Sequence, residues 1–198
     1  KDSDYEVTIV DLNFILLNEI INNNSFNIRS WYKLADKYLN IYKPSIIGVS
    51  TISVSLNPDD KENHLTSFLN YLKCIGEHIV ISGGVNATEH RIYLLENELT
   101  DFVITKEGEH KIKFLVDALY GKSNNMEFPS GIFYNIQGTV EETIGINEKV
   151  KVNYNLIDSY KKINIEAYNN VGSLNPFSRM VGQDKKFTTL QLNRGCRA

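Results

Sequence analysis

Short apolar runs alternate, over the first 121 residues, with stretches in which apolar residues recur every three or four positions. The runs are rich in β-branched residues and predict strands at residues 5–11, 45–53, 78–82 and 102–104. The spaced stretches predict amphipathic helices at residues 28–42, 65–75, 87–97 and from near 109 to near 121. The predicted order of elements is therefore β-α-β-α-β-α-β-α.

This order predicts an α/β fold of the Rossmann or flavodoxin-like kind, with a doubly wound parallel sheet and helices on both faces. The second run, Ile46-Ile47-Gly48-Val49, is continuously apolar, which is typical of a strand covered on both sides. The pattern changes after residue 122. Residues 131–134 and 139–143 predict a β-hairpin around Asn135-Ile136-Gln137-Gly138, and residues 187–192 are strand-like again.

We expect three regions along the chain. Residues 1–122 form the α/β domain, residues 123–185 form the hairpin and an irregular linker, and residues 186–198 form the first strand of a further, truncated domain. The chain starts at Lys1 rather than Met, and it stops two residues after Cys196. We therefore expect it to be a piece of a longer protein.

Composition removes several classes of function. The 198 residues carry a formal net charge of -3, which argues against a broad nucleic-acid surface. Two cysteines cannot form a disulfide scaffold. No apolar run approaches the roughly 20 residues that a membrane span needs, and the charged start lacks a signal-peptide core. We expect a cytoplasmic setting with no membrane span.

Candidate binding residues lie where the predicted strands end, because open parallel sheets bind ligands at the carboxyl ends of their strands. Most of these positions are small, hydroxyl-bearing or acidic. They are Ser50, Thr51 and Ser53 after the second predicted strand, Gly83 and Gly84 after the third, and Glu107, Gly108 and Glu109 after the fourth. Small residues let a bulky ligand approach the backbone, and hydroxyls supply hydrogen bonds. The simpler alternative is that Gly83-Gly84 only makes a tight turn.

Other site types find less support. The chain contains no G-x-G-x-x-G dinucleotide motif, and Ser50-Thr51 stands where a receiver domain would carry its phospho-acceptor aspartate. The four histidines show no metal-ligand spacing. Cys74 falls in an apolar helical stripe and is expected to be buried. Cys196 follows a predicted strand, between Arg194-Gly195 and Arg197, and is either an iron–sulfur ligand or a free thiol.

Four segments together resemble the cobalamin-binding N-terminal domain of B12-dependent radical S-adenosylmethionine enzymes. Each occurs in the family's order and at similar spacing. They are Lys43-Pro44-Ser45-Ile46-Ile47-Gly48-Val49-Ser50, Ile81-Ser82-Gly83-Gly84-Val85-Asn86-Ala87-Thr88, Asp101-Phe102-Val103-Ile104-Thr105-Lys106-Glu107-Gly108-Glu109 and Leu192-Asn193-Arg194-Gly195-Cys196. The hairpin fits the same pattern. The departures are Lys106 in place of a glycine, Val85-Asn86 in place of Pro-His, and the absence of a D-x-H-x-x-G segment.

The resemblance implies that two domains of the parent enzyme bind different cofactors. The α/β domain would bind cobalamin, with its nucleotide tail along Gly83-Gly84 and its corrin ring near Ser50, Thr51 and Glu107. A following barrel would hold a [4Fe-4S] cluster, with Cys196 as its first ligand, and S-adenosylmethionine. The expected activity of the parent enzyme is methyl transfer or related radical chemistry on an unknown small molecule or peptide. The alternative is an α/β binding or interaction module that has lost cobalamin binding, and a weaker one is a receiver-like regulatory domain.

Overall fold

The computed structural model describes residues 5–51, 56–60, 62–122, 128–146 and 167. The chain divides into two compact units, one made of residues 36–152 and the other of residues 1–35 with 153–198. No helix among the described residues is both long and apolar enough to cross a bilayer.

The unit of residues 36–152 is built on one mixed sheet of five strands, in the order β1-β2-β3-β4-β5. The strands are β1 (Ile46–Ser50), β2 (Ile79–Gly83), β3 (Phe102–Ile104), β4 (Ile132–Ile136) and β5 (Thr139–Glu142). The first three run parallel, whereas β4 is antiparallel to β3 and β5 is antiparallel to β4. The carboxyl ends of β1, β2 and β3 therefore meet at one edge of the sheet.

Helices precede, connect and follow the three parallel strands. They are α2 (Asp36–Tyr42), α3 (His64–Ile75), α4 (Val85–Glu89), α5 (Arg91–Glu96) and α6 (Glu109–Leu119). The start of α3 has a side-chain cap, because Asn63 Oδ1 accepts hydrogen bonds from the backbone N–H of Leu65 at 3.0 Å and of Thr66 at 3.3 Å. The predicted helix at 87–97 is two short helices that meet at His90.

The core lies on both faces of the sheet. Side chains alternate along a strand, so Val80 and Val103 share one face, where both are fully buried. Ile81 and Ile104 point to the opposite face, where Leu115 of α6 packs on them together with Ile132 of β4. Parallel strands covered on both faces account for the continuous apolar runs in the sequence.

The other unit is described at residues 5–35 and at residue 167. It contains α1 (Leu12–Asn22) and a 3-10 helix (Ile28–Ala35). Asp11 is the N-cap of α1, since its Oδ1 accepts a 3.1 Å hydrogen bond from the backbone N–H of Phe14. The indole ring of Trp31 meets the ring of Tyr32 edge-on, with 6.4 Å between centroids.

The α/β class predicted from the sequence is confirmed, with three corrections. The predicted strand at residues 5–11 is wrong: no described residue pairs with it, and its last residue caps a helix that the prediction lacked. The strand order follows the chain order, so the reversal expected of a doubly wound sheet is not found among the five described strands. Cys74 is exposed rather than buried, because it lies on the outer side of α3.

Candidate ligand-binding site at the sheet edge

The candidate residues converge on the edge where the three parallel strands end. Ser50 is paired in register with Gly83, and Gly83 is paired with Ile104, so the strand ends lie side by side. The turn of residues 105–108 follows Ile104 directly. We call Ser50, Thr51, Gly83, Gly84 and residues 105–109 the rim. Its members are separated by up to 59 positions in the sequence, counted from residue 50 to residue 109.

Thr51 holds the rim together from the inside. It is fully buried, and its backbone N–H and its hydroxyl both donate to the carbonyl oxygen of Gly83, at 2.8 Å and 3.0 Å. The same hydroxyl accepts a 2.9 Å hydrogen bond from the N–H of Ala87, and the carbonyl of Thr51 accepts one of 2.8 Å from Asn86 Nδ2. Thr51 therefore joins the end of β1 to the end of β2 and to α4, and these hydrogen bonds order the backbone of the rim.

The glycines leave the backbone of this edge open. Gly84 has φ 109° and ψ -180°, a region that is essentially restricted to glycine. A Cβ atom at Gly83 would meet only Ile104 O, at 3.6 Å. Gly48, two residues before Ser50 and on the same face of β1, would meet nothing within 4 Å. Ser50 itself is exposed. A ligand can therefore approach the main chain of β1 and β2 closely.

The third part of the rim is the turn after β3. Lys106 has φ 58°, in the left-handed region that favours glycine. Lys106 and Glu107 are exposed. Gly108 precedes α6 without a side-chain cap, and Glu109 occupies the first turn of that helix. The turn thus presents one carboxylate-bearing side chain, Glu107, beside the open glycine backbone.

A buried lysine lies beneath this turn. Lys111 of α6 is 2% exposed, and its Nζ donates a 2.9 Å hydrogen bond to the carbonyl oxygen of Thr105. Desolvation by burial lowers the pKa of Lys111 below its ordinary value of 10.5, and the nearby charge of Lys106 lowers it further. The carboxylates of Glu142 and Glu107 act in the opposite direction and raise it.

The lowered pKa of Lys111 predicts how its contribution to stability depends on pH. Below the folded-state pKa, the lysine is charged in both states and burial of the charge opposes folding. Between that pKa and 10.5, the folded state binds fewer protons than the unfolded state, so the free energy of unfolding rises with pH. Urea denaturation of wild type and Lys111→Met across this alkaline window should show the wild type gaining stability relative to the variant. A difference in unfolding free energy between the two proteins that does not change with pH would contradict the lowered pKa of Lys111.

The structure brings together seven of the nine predicted site residues. Ser53 and Cys196 lie outside the described residues, so their roles stay predictions, as do the predicted linker and barrel strand after residue 146. The site residues predicted from the sequence did not include Asn86, Thr105, Lys111 or Gly131. A signal existed for Lys111, because it stands four residues before the inward-facing Leu115 and hence on the same helical stripe.

Among the described residues, no group of three or more histidine, cysteine, aspartate or glutamate side chains is arranged to hold a metal ion. Fold and site together define an α/β protein whose strand ends form an open, glycine-lined rim.

No family model matches this chain, and no curated protein matches it. Two solved structures of the radical S-adenosylmethionine methyltransferase TsrM from Kitasatospora setae are similar to it. The one with cobalamin and a [4Fe-4S] cluster bound has 14% sequence identity and a TM-score of 0.48, over 75% of this chain and 28% of that one. The one with tryptophan substrate and the analogue aza-SAM bound has 15% identity and a TM-score of 0.49, over 83% and 35%. This chain therefore spans about a third or less of their length.

Proposed function

We propose that this chain is the cobalamin-binding portion of a radical S-adenosylmethionine enzyme, a methyltransferase or a related radical enzyme. The observation that carries the proposal is the meeting of three family-like segments at one sheet edge. The segments ending at Ser50, containing Gly83-Gly84 and containing Glu107 are far apart in the sequence and adjacent in the sheet. Such an edge is where ligands of parallel α/β sheets bind.

The residues present fit a large, flat ligand. The space where Cβ atoms of Gly48 and Gly83 would stand is not filled by neighbouring side chains. The position at Gly48 has no atom within 4 Å, and the one at Gly83 meets only the backbone oxygen of Ile104, at 3.6 Å. Ser50 is exposed beside this space. The edge therefore has room for a ligand that lies against the main chain, as a macrocycle with many peripheral amides would.

Five of the rim residues have roles in this proposal. Gly83 and Gly84 would lie along the nucleotide tail, since neither has a side chain to obstruct it. The Ser50 hydroxyl can donate and accept hydrogen bonds, and the Glu107 carboxylate can accept them from amide N–H groups. Thr51 keeps the strand ends in register without touching the ligand. When bound, cobalamin supplies the methyl-transfer chemistry, and the protein orients it.

The remaining parts of the proposal concern the parent enzyme. Cys196 would be the first ligand of a [4Fe-4S] cluster, and S-adenosylmethionine would bind beside that cluster in a following barrel. The substrate would be a small molecule or peptide of unknown identity. For the 198 residues of this chain, the proposal is limited to the binding of cobalamin.

A direct binding experiment tests the proposal. The purified chain is mixed with hydroxocobalamin and passed through a gel-filtration column, and the visible spectrum of the protein peak is recorded. We expect the corrinoid absorbance to elute with the wild type. Ser50→Trp should abolish this co-elution, because the indole ring would fill the open space beside Gly83. Thr139→Trp, at an exposed position on the far strand β5, is the matched control and should bind as the wild type does.

Two outcomes would contradict the proposal. A wild-type protein that elutes without corrinoid absorbance would favour the alternative of a binding or interaction module that does not use cobalamin. Equal binding by wild type, Ser50→Trp and Thr139→Trp would place the corrinoid somewhere other than the rim. Circular dichroism of all three proteins verifies that differences in binding do not reflect unfolding.

A further inference from the structure

Lys111 is the most unusual buried group among the described residues. Lysine is almost never fully buried unless it is paired, yet the side chain of Lys111 is 2% exposed. It lies in the third position of α6, directly after the rim turn, and no ion pair within the usual distance is formed with it by the described residues. A buried cation of this kind costs free energy, so its position calls for a structural reason.

The reason lies in what its ammonium contacts. Lys111 Nζ donates to the carbonyl oxygen of Thr105, the residue that leaves β3 and enters the rim turn, at 2.9 Å. Gly131, just before β4, lies against the same ammonium so closely that a Cβ atom there would be 2.6 Å from Nζ. Thr105 completes the arrangement, because its N–H and its hydroxyl donate to Gly131 O at 2.9 Å and 3.2 Å.

The charges around Lys111 also connect it to the rim. Glu107, in the exposed part of the turn, and Glu142, at the end of β5, attract the ammonium, whereas Lys106 repels it. The backbone at Lys106 is in the left-handed region, which is unfavourable for a residue with a Cβ atom. A turn with this unfavourable conformation persists only when neighbouring contacts hold it. The hydrogen bond from Lys111 to the preceding carbonyl is such a contact.

We propose that Lys111 is a positioning residue for the rim, whose ammonium fixes the turn of residues 105–108 against the start of β4. Its effect on cobalamin rests on the proposed function, whereas its effect on the turn does not. In the absence of this ammonium the turn opens locally, Glu107 loses its fixed position, and a ligand that depends on the rim binds more weakly.

Trypsin cleavage after Lys106 reports on the opening of the turn. Lys111→Met removes the ammonium and keeps an unbranched side chain of similar size. We expect cleavage after Lys106 to be about tenfold faster than in the wild type, the factor expected from losing one hydrogen bond to a charged group. Cleavage after Lys73, inside α3, is the internal reference, because global unfolding would raise both rates and local opening raises only the first. Lys113→Met, at an exposed position on the same helix, is the matched control and should leave the ratio unchanged.

A second pair of variants keeps the test decisive if Lys111→Met does not fold. Glu142 and Glu141 are neighbouring exposed residues of β5, and only Glu142 acts on Lys111. Glu142→Gln should raise the ratio of cleavage after Lys106 to cleavage after Lys73 by about twofold, because solvent-exposed charges interact weakly. Glu141→Gln should leave this ratio unchanged. A ratio that stays at the wild-type value in both Lys111→Met and Glu142→Gln would overturn the proposal.

Binding of hydroxocobalamin separates this inference from the proposed function. If the wild type binds, Lys111→Met should bind more weakly, because the apparent Kd rises in inverse proportion to the fraction of molecules whose turn is closed. The loss of affinity is about twofold where half of the variant molecules are open and about tenfold where only a tenth stay closed. Selective cleavage after Lys106 with unchanged affinity would overturn the part of the inference that concerns the ligand. A wild type that does not bind would overturn the proposed function, while the cleavage ratio would still decide the role of Lys111 in the turn.

Discussion

Replacing Thr51 by valine should lower the free energy of unfolding by about 2–4 kcal/mol, because it removes a buried hydroxyl that makes two hydrogen bonds. Valine has nearly the same shape as threonine, so packing is retained. The carbonyl of Gly83 loses one of its two donors, and the N–H of Ala87 is left without its acceptor. Ala87 is fully buried, so no solvent can replace that acceptor. Urea denaturation followed by circular dichroism measures the loss.

Thr51→Ser is the matched control, since serine keeps the hydroxyl and loses one methyl group. It should cost about 1 kcal/mol or less, close to the value of one buried methylene group. A valine variant as stable as the serine variant would mean that the two hydrogen bonds do not hold the strand ends together. The contrast also bears on ligand binding, because we expect Thr51→Val to disorder the rim that Thr51→Ser preserves.

Replacing Gly131 by alanine should lower the free energy of unfolding by about 3–5 kcal/mol, through two separate effects. Its φ of +88° is unfavourable for any residue with a Cβ atom. That Cβ atom would also stand 2.6 Å from Lys111 Nζ and 2.9 Å from Thr105 Oγ1, so both side chains must move. Displacing them breaks the hydrogen bonds that join the rim turn to β4. Urea denaturation again gives the magnitude.

Gly138 separates the two effects, because its φ is also positive and similar to that of Gly131, whereas its surroundings are not crowded. Its φ is +83°, and a Cβ atom there would meet nothing within 4 Å. Gly138→Ala should therefore cost about 1–2 kcal/mol, the backbone part alone. The difference between the two alanine variants measures how closely Lys111 and Thr105 pack against Gly131. Equal costs would show that the close approach has no energetic consequence.

Much of the sheet could be predicted from local pattern. The runs that became β1, β2 and β3 are short, apolar and separated by helical stripes, so their type and their parallel order follow from the sequence. Residues 5–11 show where local pattern fails. The run alternates as a strand would, but a strand exists only with a hydrogen-bonding neighbour, and Asp11 at its end is also a strong helix cap.

Only part of the candidate site could be predicted, because the sequence again shows local features and not contacts between distant residues. Ser50, Gly83, Gly84 and Glu107 could be found because small and polar residues at strand ends are visible in the sequence. Lys111 could not be assigned to the site in this way, since a lysine in a helix is usually exposed. Its burial depends on Gly131, which follows it by twenty positions and lies against its ammonium only after β4 has paired with β3.

The sequence alone determined the α/β class, the glycines at the strand ends and the absence of a dinucleotide or receiver motif. These are local properties, because each depends on side-chain type and spacing within a few residues. Tertiary structure alone decided that the hairpin extends the sheet, that Thr51 joins β1 to β2 through hydrogen bonds, and that Lys111 lies beneath the rim. Those features depend on hydrogen bonds and close packing between residues distant in the chain, which no local pattern specifies.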